Sequence, residues 1–252
     1  MKKIEINILM IILTEAVFLH LFFKTNIITI ILGIILGFIL IYITKKIKKN
    51  KITKLILFTI SIPLFIFFLY KTILFINYNF LKNYSSIIIG ISLLITSIYL
   101  GNKNYHTYIK STEIIIYLVL IIKVISLLLS VPLIKFNNFS FSYNIDYSFI
   151  YIGLFILLLF NYLYYLSNYK INYKEIILSF ISPLIIKIIS LLILGNNLLS
   201  IYKYPYINYL KNINYLDFIE RMEGILSFEY LFCFIILLSF FIQNIKVLKK
   251  AK

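Results

Sequence analysis

Tryptophan is absent from these 252 residues, and cysteine, arginine and histidine are almost so: one Cys, one Arg and two His. Each shortage excludes something. A lone thiol, Cys233, forms no intramolecular disulfide, and its apolar neighbours mark it as an inert buried thiol. His20 and His106 lie far apart in the chain, so no Cys/His cluster has metal-ligand spacing. Neither a phosphate-binding loop nor a nucleophile elbow is present. No metal, cofactor or catalytic residue is expected. Charge is scarce as well. Only 13 % of residues are charged, where a soluble domain averages about 25 %.

What is abundant is apolar surface. Hydrophobic residues make up 62 % of the chain and aromatic residues 18 %. A water-soluble fold of this length has no interior large enough to hide them, so lipid must solvate a large part of the chain. The lysine-over-arginine bias, with the wealth of Ile, Asn, Tyr and Phe, suggests a low-GC coding sequence. The net charge of +16 does not point to nucleic acid, because the lysines gather between apolar runs. That pattern fits a membrane surface.

A spanning helix needs about 20 mostly apolar residues. Eight stretches qualify: 6–23, 27–44, 55–75, 86–100, 114–134, 147–166, 176–194 and 225–245. With the N-terminus cytoplasmic, sixteen basic residues fall on that side and seven on the other, and every short loop obeys the alternation. The expectation is an all-α integral membrane protein of about eight helices. It forms a single polytopic domain over 1–252 with both termini cytoplasmic. The basic stretch Lys45–Lys54 reads as a stop-transfer anchor. Glu15 and His20 interrupt the first apolar run, so it does not read as a signal peptide. The 195–224 connection is long and rich in tyrosine, which suits an interfacial segment on the outer side.

Ionisable groups inside a span cost roughly 2.5–3.5 kcal/mol at the centre, so Glu15, Lys123 and Lys187 are the ligand-binding candidates. Counting along the expected spans puts all three near one depth, and Glu15 is expected to pair with Lys123 or Lys187. Pro183, four residues before Lys187, frees a backbone carbonyl on the same helix face; the spot reads either as a place for a polar ligand or, the preferred expectation, as a carbonyl that the lysine satisfies. Gly33 and Gly37 form a small-xxx-small pattern that lets another helix approach closely.

The stretch "NINYLDFIERMEGILSFEYLF" sets Asp217, Glu220, Glu223 and Glu229 around Arg221. Asp217 and Glu220 have the spacing of a helix N-cap and its capping-box partner. Acids in a first turn complement the positive helix end, so these four acids read as the outer start of the last helix. A bidentate carboxylate clamp explains arginine in place of lysine.

The order Gly195, Tyr204-Pro205, Lys211 and Glu220-Arg221-x-Glu223 resembles the GerAB-type spore-germination permeases. There a helix ends near a Gly, a Tyr-Pro pair and a basic residue follow, and Glu-Arg-x-Glu opens the next helix. Glu113, after the loop of 101–112, is a weaker echo. The resemblance covers about 35 residues. It implies an amino-acid-permease-like bundle, shortened relative to the family's usual ten or so spans. It also implies residence in a bacterial cell membrane, the spore inner membrane, and A-type and C-type germinant receptor subunits as partners. The implied role is to sense or transport a small nutrient such as an amino acid. The first span lacks the Gly or Pro at which such transporters unwind, and the alternative is a non-transporting scaffold subunit.

Overall fold

The computed structural model describes residues 3–21, 25–46, 51–138, 146–167, 173–202, 204, 205, 207, 208 and 222–250. Among them all regular structure is helical. The long helices are α1 (Lys3–Leu21), α2 (Ile27–Lys46), α3 (Lys51–Asn79), α4 (Ser86–Asn102), α5 (Tyr105–Ser130), α6 (Ser148–Ser167), α7 (Tyr173–Ile201) and α8 (Met222–Lys250). Isoleucine-rich runs are mediocre helix formers in water. In hydrocarbon every N–H and C=O must be paired within the segment, and only a helix does that locally.

Among the described residues, five helices are long and apolar enough to cross a membrane: Ile27–Thr44, Thr53–Asn79, His106–Leu133, Lys174–Leu199 and Phe228–Lys249. Shorter apolar stretches among them are Leu9–Phe18, Ser86–Asn102 and Ser148–Leu163. Large apolar side chains stand on the outside as well as in the core. Ile31, Ile35 and Ile39 form an exposed stripe on α2, and Ile114, Ile121 and Leu128 form another on α5. The buried set holds Glu15, Lys123, Lys187, Glu229 and many hydroxyl residues. Exposed apolar stripes, with a few ionisable groups kept inside an apolar core, are the mark of a helical membrane protein.

Helix lengths differ from expectation where local hydrogen bonding extends or ends a run. The third helix was expected over 55–75 but continues to Asn79. Its polar side chains are absorbed by their own helix, with Thr72 donating to Phe68 O at 2.8 Å and Asn79 to Phe75 O at 2.9 Å. The fifth begins nine residues before the expected 114 and ends at Ser130, where a 3-10 turn carries Pro132. Proline has no N–H to give, and the Val131 N–H closes the helix on Leu128 O.

Two packing relations set the frame. Helices α2 and α6 pack tightly in parallel: Gly33 faces Ile152 and Gly37 faces Ile156. A Cβ added at Gly33 would lie 2.6 Å from Ile152 Cβ, and one at Gly37 2.8 Å from Ile156 Cβ, so only glycine permits this approach. Helices α3 and α8 run antiparallel. Phe75 meets Phe234 edge-on at 5.1 Å, and Phe68 stacks on Phe241 at 5.6 Å. Helix α1 sits in the middle, in contact with α3, α5, α6, α7 and α8.

Candidate functional site

The central helix carries the site. Residues 12–18 of α1 are all buried, and Thr14 and Glu15 are the polar ones among them. Pro183 removes the N–H that would bond the carbonyl of residue 179. Thr14 Oγ1 donates to that carbonyl, Ser179 O, at 2.8 Å. A hydroxyl from another helix thus reaches the freed carbonyl, in addition to the Lys187 ammonium expected there. The bond sets the register of α1 against α7. One turn beyond Ser179, Ser182 then comes level with Glu15.

Lys123 of α5 enters between them. Its ammonium donates to Glu15 Oε1 and, at 2.5 Å, to Ser182 Oγ. The ion pair is almost fully buried. Of the two expected partners for Glu15, the structure brings up Lys123. Lys187 is buried too, but it lies five residues past Ser182, about 7.5 Å further along α7. The common depth expected for the three groups holds for Glu15 and Lys123, which meet, while Lys187 lies further along α7.

A second carboxylate completes the cluster. Glu229 of α8 is fully buried, and neither of its oxygens has a hydrogen-bond partner. The charges acting on it are those of Glu15 and Lys123. One turn on, Cys233 is buried within reach of the same three charges. Glu229 was expected at the outer surface with the acids that start the last helix, and the structure places it inside. It shares a stripe with Cys233, Ile236 and Phe240, all buried. That i, i+4, i+7, i+11 spacing was present in the sequence. It was hidden because apolar residues surround the stripe on every side.

Further bonds fasten α8 to α5 and to the α4–α5 turn. Tyr108 Oη donates to Ile236 O at 3.2 Å and Gln243 Nε2 to Lys103 O at 2.8 Å, while within α8 Ser239 Oγ donates to the same Ile236 carbonyl at 2.8 Å.

The residues of the resembling stretch divide. At Gly195 the helix breaks, with φ 73° and ψ 163°, a conformation that glycine adopts without strain. The loosened carbonyls of Leu192 and Ile193 accept from Asn138 Nδ2 at 3.0 and 3.2 Å. Pro205 is buried. Tyr204 packs on Phe75 at 5.1 Å and on Tyr78 at 5.3 Å. Phe75 in turn touches Tyr230 and Phe234, the side chains flanking the turn that carries Glu229. Burial, with the neighbouring Tyr78 and Tyr70, pushes the Tyr204 hydroxyl up to about 12. Asp217, Glu220, Arg221 and Lys211 lie outside the described residues, as does the Glu223 side chain. Among the described residues no three His, Cys, Asp or Glu side chains come together as metal ligands.

Chemically, the cluster offers one ammonium, two carboxylates and one hydroxyl in a dry interior. Comparison with family models, curated proteins and solved structures gives no match for this chain.

Proposed function

We propose that this chain is a spore-germination-permease-like membrane subunit that senses or transports a small nutrient such as an amino acid. In this reading eight helices cross a bacterial cell membrane, both termini are cytoplasmic, and A-type and C-type receptor subunits are the partners. The observation that carries it is the buried Glu15–Lys123 pair with Glu229 beside it. A zwitterion presents an ammonium and a carboxylate, and this cluster holds a complement to each. Ionisable groups kept inside a membrane bundle cost free energy, so their presence argues for use.

Three further features support the reading. In a chain that crosses at every helix, α2 and α6 must run parallel, and α8 must oppose α3 and α5. The α2–α6 and α3–α8 contacts agree. So does α5, whose Tyr108 meets Ile236 while Lys123, further along, meets the charge of Glu229 at the other end of α8. The excess of lysine on one side fits the same count. Tyr204, from the resembling stretch, belongs to the aromatic group that adjoins the Glu229 turn.

A thermal-shift screen of the detergent-purified protein against single amino acids, sugars and nucleosides tests the proposal. A ligand that binds only the folded state raises the midpoint by mass action. One active compound, inactive on Glu15→Gln, is the expected result. A folded protein that responds to none favours the second reading, a non-transporting scaffold subunit. That reading draws on α1 and α6, which run without an internal break, where permease-type sites are built on interrupted helices.

A further inference from the structure

We infer that Glu229 is a proton-binding site, carrying an exchangeable proton at neutral pH. Two carboxylates and one ammonium meet in a region with no solvent access. The ammonium bonds Glu15 and Ser182. Both oxygens of Glu229 are left without a donor. An ionised carboxylate in that position would be an uncompensated buried charge, and such groups neutralise instead.

Among the described residues, the charges that act on Glu229 are Glu15 from α1 and Lys123 from α5, the latter already engaged. Helix α3 meets this part of α8 with the Phe75 ring. Helices α4 and α6 meet α8 further along, at Ile242 and at Phe240. On α8 itself the nearest titratable neighbours are Tyr230 and Cys233, neither of them cationic at neutral pH. No cavity is required, because a proton needs none.

Lys123 has two carboxylates in reach and can neutralise one. If Glu229 loses its proton, the ammonium is drawn toward it and the Glu15 contact weakens. This is a two-state element linking α1, α5 and α8. Its part in nutrient binding rests on the permease-like reading; the proton itself does not, and the test contains no solute.

Infrared spectra of the lipid-reconstituted protein at neutral pH report the carbonyl stretch of a protonated, dry carboxyl. The expected result is a band that loses one carboxyl's intensity in Glu229→Gln. In Glu15→Gln the band also falls, because Lys123 is freed to hold Glu229 ionised. A band of unchanged intensity in Glu229→Gln overturns the inference. Should that variant fail to fold, the wild-type protein is treated with dicyclohexylcarbodiimide, which reacts with protonated carboxyls, and mapped by mass spectrometry. An adduct on Glu229 in preference to Glu15 supports the assignment. An adduct on Glu15 and not on Glu229, or on neither, overturns it.

Discussion

Lys123 stands 108 residues after Glu15 in the chain, yet its ammonium ends on the Glu15 carboxylate with both side chains almost fully buried. Removing one partner of such a pair strands a charge and typically costs about 3–5 kcal/mol. Removing both leaves little to strand. Lys123→Met, which strands the Glu15 carboxylate, is expected to lower the melting temperature in detergent, and Glu15→Gln to lower it less, because the freed ammonium turns to Glu229. The double variant is expected to be more stable than the sum of the two losses predicts. Additive losses in a double-mutant cycle would mean that the two groups are not coupled.

The bond from Thr14 to Ser179 O ties the central helix to α7. Hydrogen bonds between membrane helices average about 0.6 kcal/mol and reach about 1.7. Thr14→Val keeps the shape and leaves the carbonyl that Pro183 freed without this donor. A loss in that range is expected by thermal or denaturant unfolding, with Thr14→Ser close to wild type. Equal behaviour of the two variants would show that the hydroxyl contributes nothing.

Glycines at two helix contacts should differ in their tolerance of a methyl group. At Gly33 an added Cβ would meet the branched Ile152 side chain at its own Cβ, 2.6 Å away, and that atom cannot swing aside. At Gly90 it would meet only the end of Ile73, at 3.0 Å. Gly33→Ala is expected to cost about 1–3 kcal/mol through overpacking, and Gly90→Ala much less. Comparing the two melting temperatures decides it, and a larger loss at Gly90 would contradict the α2–α6 packing.

Tyr204 offers a pH test. Its hydroxyl is raised from 10.0 to about 12, chiefly by burial, so the folded state holds this proton more tightly than the unfolded chain. The contribution is intact below pH 10 and is lost as pH climbs toward about 12. Over that window the wild type is expected to lose more stability than Tyr204→Phe, which has no phenolic proton. Parallel stability curves for the two proteins would remove Tyr204 as the cause.

The membrane character was legible in the sequence because hydropathy is a local sum. Long runs such as Ile27–Thr44 carry the signal without reference to any neighbour. Glu15 and Lys123 also stood out, since an ionisable group in an apolar run is conspicuous wherever the run is placed. Glu229 was missed for the converse reason. It lies seven residues after the start of α8, beside acids that have a sufficient local explanation as helix-start residues. Only the rotation of α8 against α1 and α5 turns it inward.

Composition and pattern alone thus determined the solvent, the helical segments and a short set of groups too costly to be incidental. The tertiary structure decided which of these groups meet. Partner choice depends on relative height and rotation of helices distant in sequence, and those follow from contacts that no single segment encodes: the Gly33–Ile152 approach, the Thr14 bond to α7, and the edge-on Phe75–Phe234 contact. Those contacts set Lys123 against Glu15, Thr14 against the carbonyl that Pro183 freed, and a second carboxylate where the sequence had indicated only a helix end.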